Sequence, residues 1–506
     1  MRALLLPLLI AIALPTSAQP DPARDAAFAE TADRIIAQAF DEVGAVPGLA
    51  VAVVRGGETV YARGFGYADV ERSLPVTADT PFYIASATKP FTALLAALLD
   101  RDGLLALDAS LASLFPDVAF DPAIEADSVT VRQLLAHVSG VENGPIGFRA
   151  AYTGQHTPAE MRRLLARSAP NAEAPRGQFD YTNVGYNIVS LRMDELSGGP
   201  WQTLLADRLF APLGMTHTTA YASAAEAWAP ARPYTPGPDG RPERIALVKH
   251  DDTMQAAGGL YASAADLARW LRLQLGGGRL DGVQMIPADV LDETHRPVAA
   301  DRGDAFGPFG RDGYALGWHT GRYDGEPVLH HFGGFAGFHT HLSFMPDRDL
   351  GVVVLANDSG AGGRLALLLA GFAYDWWSAS STEGDAVAER TLEGAAALRS
   401  GFDRYLAHGA REAAQRAERT WQLSLPAAAY AGTYADPDSG TLVVEHDPEA
   451  GLAVRFGRLQ SAAEPFTDPE SARVELIPGR GEVIRFELEG GQVRALVYVG
   501  QRFARL

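Results

Sequence analysis

The sequence predicts an α+β domain, an antiparallel sheet flanked by helices with a helical region between its strands, followed by a small all-β, barrel-like domain. Short apolar strand patterns stand at both ends of the first 375 residues, and helical periodicity fills the stretch between them. Beyond Pro426 the texture changes to short alternating strands separated by Gly, Asp and Pro.

The chain opens with Arg2, an apolar run from Ala3 to Leu14, and the small residues Thr16-Ser17-Ala18 before Gln19, which is the pattern of a cleavable export signal over residues 1–18. The run is shorter than the roughly 20 residues that cross a bilayer. A periplasmic or secreted protein with no stable membrane anchor is therefore expected. The chain has no cysteine, which excludes disulfides and a cysteine-borne lipid, so the fold must rest on burial alone.

Asp25 to Val43 reads as a helix with Phe28, Ile35, Ile36, Ala39 and Phe40 along one side, stopped by Pro47-Gly48. Leu49 to Arg55 and Val60 to Phe65 are two strands joined at Gly56-Gly57, a hairpin signal. Phe91, Leu94, Leu95, Leu98 and Leu99 then fall at helical spacing, with Pro90 tolerated in the first turn. Further helices are expected around Val131 to Ala136, Pro158 to Ser168, Tyr186 to Ser197, Trp201 to Leu209 and Ala264 to Leu275. Val328 to Phe344 and Gly351 to Asn357 read as late strands. The sheet-and-helix domain thus spans residues 25–375, and an Ala/Glu/Arg-rich helical connector spans 376–419. The β-domain covers 420–506, with strands at Leu442 to Glu445, Leu452 to Phe456, Val474 to Ile477, Val483 to Leu488 and Val493 to Val499.

Net charge is −19 and is spread along the chain without a basic patch, so nucleic-acid binding lacks its electrostatic footprint. A hydrophobic content of 47% against 21% charged is that of an ordinary globular protein.

The chemistry begins with a scarcity. The chain holds two lysines against 41 arginines, and one of the two is Lys89, three positions after Ser86. Arginine keeps its proton in a protein, whereas a desolvated lysine can lose it. One helical turn apart at a helix start, Ser86 and Lys89 share a face, and the N-terminal amides point at whatever Ser86 attacks. That is the minimum equipment for activating a serine nucleophile. A second constellation is Asp180-Tyr181-Thr182-Asn183, in a loop before a helix. Its phenol, with the phenolate favoured near Lys⁺, suits a base, and its amide suits substrate orientation. A third is His330-His331-Phe332-Gly333-Gly334, where glycines inside a strand mark close backbone approach. The amides of Gly334 and Ser86 suit a developing oxyanion.

Together these segments resemble the serine β-lactamase and penicillin-binding-protein superfamily, whose signature is Ser-x-x-Lys, Tyr-x-Asn and Lys-Thr-Gly. The resemblance is closest to the class C β-lactamase branch with its esterases, D-aminopeptidases and carboxypeptidases. Supporting segments are Leu134-Leu135-Ala136-His137-Val138-Ser139-Gly140, Ala257 to Leu267 and Gly351 to Asn357. The resemblance implies Ser86 as nucleophile, Lys89 as its proton partner, Tyr181 as companion acid/base and Asn183 as a substrate-binding amide. His331, Gly333 and Gly334 then form the substrate strand, and the C-terminal part resembles a lipocalin-like domain that shapes the active-site entrance in some relatives.

Where β-lactamases carry a lysine this chain has His331, so a permanent cation becomes a mostly neutral imidazole. The expectation is an acyl-enzyme hydrolase acting on an ester or a D-residue amide, with a small-molecule or peptide substrate and at most weak β-lactam hydrolysis. The alternatives are a slow-turnover penicillin-recognising binding protein or sensor, and a true class C-like β-lactamase. No cofactor and no metal are expected. His339-Thr340-His341 has metal-like alternation but no third ligand at motif spacing, and His137 is expected to pack structurally near the cleft. A Gly-x-Ser-x-Gly elbow is absent, against an α/β-hydrolase.

Overall fold

A computed structural model describes residues 21–301, 303, 307–380 and 382–506. The expected export signal lies outside the described residues. Helix α1 runs Pro22–Val43; the Asp21 side chain accepts from the Arg24 amide at 3.1 Å, and the helix ends at Gly44 in the left-handed region. Its inward stripe is Phe28, Ala32, Ile35, Ile36, Ala39 and Val43, all buried.

The first domain is built on a nine-stranded antiparallel sheet. Its strands are β1 (Gly48–Arg55), β2 (Glu58–Asp69), β3 (Leu74–Pro75), β4 (Ala299–Ala300), β5 (Gly313–Tyr314), β6 (His319–Tyr323), β7 (Glu326–Phe335), β8 (Phe338–Met345) and β9 (Leu350–Ala356). Their order is β4-β5-β6-β7-β8-β9-β1-β2-β3, so strands from the two ends of the domain meet where β1 pairs with β9, Val51 opposite Val354. Helices cover both faces of this central pair, which is why Leu49 to Val54 is a continuous apolar run rather than an alternating one.

The single run expected over Val328 to Phe344 is a hairpin. β7 and β8 turn at Ala336-Gly337, where Gly337 has φ +79° and an added Cβ would lie 2.3 Å from the Pro233 side chain. Apolar residues continue through the turn, so periodicity alone does not mark it. β4, β5 and β6 were not anticipated: the first two hold two residues each and β6 is polar in alternation.

Helices α2 (Lys89–Arg101), α3 (Val184–Ser197) and α4 (Ala264–Leu275) belong to the core on one face. On the other face lie α1, α5 (Gly362–Ser378) and α6 (Gly384–Ala417). The segment expected as a helical connector carries α6, whose first half packs on this core through Val387, Ala388, Thr391, Ala395 and Phe402.

The C-terminal domain is a closed barrel of eight strands, β10 (Gly432–Asp436), β11 (Gly440–Asp447), β12 (Gly451–Phe456), β13 (Leu459–Pro465), β14 (Ser471–Ile477), β15 (Arg480–Glu489), β16 (Gln492–Tyr498) and β17 (Gln501–Arg505). Pairing of β10 with β17, Tyr434 opposite Arg505, closes it and removes the open edges. The barrel docks on the first domain through an aromatic series. Phe456 lies 5.5 Å from Phe148, Phe148 5.3 Å from Tyr152, and Tyr152 5.9 Å from Phe335 at the end of β7. Gly457 lets the barrel backbone approach Thr153, whose carbonyl accepts from the Arg458 amide at 3.0 Å.

Phe28 ties α1 to α5, stacking on Phe372 at 6.1 Å and meeting Trp376 at 5.1 Å. Phe28→Ala is expected to lower unfolding stability by about 3–5 kcal/mol, measured by denaturant titration of the full chain.

Candidate active site

Tyr83 and Ile84 lead into a short 3₁₀ turn, Ala85–Thr88, that runs into α2. Ala85 has φ +46°, a strained value for a residue with a Cβ, and it sits directly before Ser86. Ser86 is the one residue between Pro81 and Pro90 that is not fully buried. Below it lies Lys89, with no exposed surface. Its Nζ reaches Ser86 Oγ at 3.3 Å and donates to Asn183 Oδ1 at 2.8 Å and to the Ala257 carbonyl at 2.9 Å. None of these partners is a carboxylate. Desolvation therefore holds the amine well below the ordinary lysine range.

The segment from Gln255 to Leu260 wraps this turn. Ala256 O accepts from Thr92 Oγ1 at 2.7 Å, Gly258 O accepts from the Tyr83 hydroxyl, and Leu260 O accepts from the Ile84 amide at 2.9 Å.

Asn183 stands at the N-cap of α3, yet its side chain makes no cap; its carbonyl oxygen is turned to Lys89 instead. The acceptor half of the amide is thus engaged by the amine. Tyr181 departs from expectation. Lys89 Nζ lies over its ring, 4.7 Å from the centroid. Desolvation of the hydroxyl raises its pKa, outweighing Ser86 and Arg311, although the residue as a whole is 39% exposed. The resting phenol is therefore neutral, and the deprotonable group of the pair is Lys89. His137, buried with φ +60°, packs its ring 4.4 Å from Tyr181 and accepts the Thr182 amide on Nδ1 at 3.2 Å.

Strand β7 closes the opposite side. An added Cβ on Gly333 would lie 1.9 Å from the Ile84 carbonyl, so only glycine lets the strand approach the serine turn. Around Gly334 the corresponding space is open. His331, 1% exposed, donates from Nδ1 to the Phe332 carbonyl at 2.9 Å. Its Nε2 is left as acceptor for the hydroxyls of Tyr314 at 3.2 Å and Tyr181 at 3.5 Å. Burial, reinforced by His319 and Lys89, keeps the ring neutral. Ser86, Tyr181, His331, Gly333 and Gly334 line one cavity of about 410 Å³. Lys89 and Asn183 lie behind it. A serine backed by a neutral amine, with a phenol and two glycine amides across an open cleft, can carry out acyl transfer.

Sequence reasoning passed over four further groups. His319 and Arg311 line the same cavity, and Asp301 holds His319 from behind. Arg311 is the one permanently charged side chain among the described lining residues. The other lysine, Lys249, is buried as well. Its Nζ donates to the Ala151 carbonyl at 2.5 Å and lies 4.1 Å from the centre of the Phe335 ring, and desolvation lowers its pKa to about 7. Its rarity was the available signal. Nothing in sequence marks Asp301. The alternating histidines are engaged by the protein itself: His339 Nδ1 pairs with the Asp358 carbonyl at 2.7 Å and His341 Nε2 with Ser343 Oγ at 2.6 Å. No described barrel residue lines the cavity; the barrel reaches the end of β7 through the ring series Phe456, Phe148, Tyr152 and Phe335.

The Beta-lactamase family profile matches residues 36–374. The chain belongs to the β-lactamase family. An unguisins hydrolase of Aspergillus violaceofuscus, UngD, is 28% identical over 336 residues, 62% of this chain and 59% of that protein. The chain spans about three-fifths of the length of the curated relatives it matches first. The octameric penicillin-binding protein homologue from Pyrococcus abyssi shares the fold, with TM-score 0.58 and 22% identity over 94% of this chain and 99% of that one. The D-amino acid amidase of Ochrobactrum anthropi SV3 aligns with TM-score 0.51 and 25% identity over 65% of this chain and 92% of that one.

Lys89→Arg keeps a charge but removes the deprotonable amine, and is expected to lower kcat/KM on a p-nitrophenyl ester by about 10²–10⁴-fold. The depressed pKa sets the sign of the pH dependence. Wild-type activity is present while the amine is neutral and is lost as pH falls through the Lys89 pKa, which a kcat/KM–pH profile reads.

Proposed function

We propose that this protein is an exported serine hydrolase that forms an acyl-enzyme on Ser86 and hydrolyses an ester or a D-amino-acid amide. The observation that carries the reading is the fully buried Lys89 amine, 3.3 Å from Ser86 Oγ and without a carboxylate partner. Ser86 Oγ adds to the carbonyl carbon as its proton passes to the Lys89 amine. The oxyanion is met by the amides of Ser86 and Gly334. As the bond to the leaving group breaks, the Tyr181 hydroxyl gives that group a proton and regains one from the Lys89 ammonium, leaving a neutral amine and the acyl group as an ester on Ser86. Similarity to a D-amino acid amidase supports the amide arm of the reading, and similarity to a hydrolase supports hydrolysis as the reaction class. The neutral His331 weighs against a dedicated β-lactamase, since that position offers a β-lactam carboxylate no charge.

A substrate panel tests it: short-chain p-nitrophenyl esters, D-Ala-p-nitroanilide, a D-Ala-D-Ala peptide and nitrocefin. Turnover of an ester or D-amide is expected to exceed that of nitrocefin, and Ser86→Ala is expected to abolish it. Nitrocefin as the best substrate would overturn the reading in favour of a β-lactamase. A fluorescent penicillin that labels Ser86 and stays there, with the other substrates inert, would favour a slow-turnover binding protein.

For export, the cleavage pattern before Gln19 is the support. The intact mass of the protein recovered from a secreting host is expected to lack residues 1–18, and recovery of the full-length chain would count against it.

A further inference from the structure

The cavity beside Ser86 holds a hydrogen-bonded histidine–carboxylate pair that the acylation chemistry does not use. His319 Nδ1 lies 3.2 Å from Asp301 Oδ2, and both residues are 3% exposed. The second carboxylate oxygen accepts the Gly303 amide at 2.9 Å, which fixes Asp301. The imidazole is held from three sides: edge-on by Tyr314 at 4.7 Å, stacked on His330 at 5.3 Å, and parallel to the Tyr181 ring at 6.0 Å. Of the four imidazoles lining the cavity, His319, His331, His339 and His341, only His319 has a carboxylate on one nitrogen among the described residues. His331 Nε2 is taken by two hydroxyls, and His341 Nε2 by Ser343. No described protein group pairs with His319 Nε2, while the ring itself lines the cavity.

Such a pair is poor support for stability, because a buried carboxylate loses hydration that one imidazole N–H only partly returns. It is good equipment for moving a proton. The carboxylate keeps Nδ1 protonated and stabilises an imidazolium, leaving Nε2 as a base. Burial, with Arg311 and Lys89, favours the neutral ring, opposed by Asp301, so the base form is available at neutral pH. Burial works to raise the Asp301 carboxyl, but His319, the Gly303 amide and Arg311 hold it below the ordinary range, so it stays an anion.

We propose that His319 is a catalytic base for the second half of the reaction, taking a proton from the water that hydrolyses the Ser86 acyl-enzyme, and that Asp301 is its positioning residue. The inference rests on the acyl-enzyme reading above. Lys89 lies behind Ser86 Oγ, with no exposed surface and its neighbours already within hydrogen-bonding reach, whereas His319 shares with Ser86 the cavity that a substrate and water would occupy. The water oxygen bonds to the acyl carbonyl carbon as one of its protons passes to His319 Nε2. Collapse of the tetrahedral intermediate breaks the C–Oγ bond, and the proton on His319 returns to Ser86 Oγ. The acyl group leaves as the carboxylic acid, with free serine restored.

The test uses the full chain and a p-nitrophenyl ester, with acid quench and intact mass measurement at intervals. In His319→Gln, acylation is expected to stay within a few-fold of wild type, while steady-state turnover falls by about 10²–10³-fold and the Ser86 acyl adduct accumulates. Asp301→Asn is expected to show the same pattern, weaker, at about 10-fold. Added imidazole is expected to restore part of the turnover of His319→Ala, which a merely structural loss would not permit. The adduct also reports folding, because only an assembled site acylates. Wild-type adduct lifetime in both His319→Gln and Asp301→Asn would overturn the inference, and so would loss of acylation in both. A wild-type protein that turns the ester over and never shows an adduct, with Ser86→Ala fully active, would instead overturn the acyl-enzyme reading itself.

Discussion

A buried amine without a counter-ion sets the terms for the rest of this structure. Lys89 is enclosed by a hydroxyl, a side-chain amide oxygen and a backbone carbonyl. Such partners hydrogen-bond an amine but do not neutralise an ammonium, so burial favours the neutral form that can accept the Ser86 proton. Keeping water from the amine requires close walls. The segment from Gln255 to Leu260 forms one, pinned by Thr92, Tyr83 and Ile84. Strand β7 forms another and reaches its place only because residue 333 has no side chain to meet the Ile84 carbonyl. Asn183 completes the enclosure and gives up its own helix cap to do so.

The same economy of charge extends across the cleft. Burial keeps His331 neutral, Tyr181 keeps its proton, and Arg311 is the permanent charge among the described lining residues. The other lysine repeats the pattern at the edge of the site. Lys249 is buried against Phe335, Tyr83 and Tyr152 and donates to backbone carbonyls. It sits where the aromatic series from the barrel meets the end of β7, so both lysines of the chain lie at joints of the catalytic half of the molecule. The barrel is coupled to the substrate strand by ring contacts rather than by residues placed in the cavity.

Much of this was legible in sequence where the signal is local. Ser86 and Lys89 are three apart at a helix start, and the periodicity of Phe91 to Leu99 places that helix without reference to anything distant. The β1–β2 hairpin is written in two apolar runs and a Gly-Gly turn. The failures have a common cause. The Ala336-Gly337 turn is hidden because its flanking residues are apolar for separate reasons, and β4 and β5 are too short to show a period. Three barrel strands, Gly432–Asp436, Leu459–Pro465 and Gln501–Arg505, went unresolved into strands because half of each faces solvent with small or polar residues. Tyr181 was assigned a favoured phenolate from its partners alone, but the Lys89 amine meets the face of its ring and not its oxygen.

Sequence settles which groups exist and which lie close along the chain: a serine and an amine one turn apart, a phenol and an amide two residues apart, and glycines where a backbone must pass another. These are short-range facts of bond geometry and helical pitch. Burial and direction belong to the fold. The neutral state of Lys89 follows from desolvation by distant segments, one of them at Ala257, 168 positions away, the tautomer of His331 from the carbonyl of Phe332, and the pairing of Asp301 with His319 from strands that meet only in the sheet. Protonation depends on how completely water is excluded, and water is excluded only when distant parts of the chain close together.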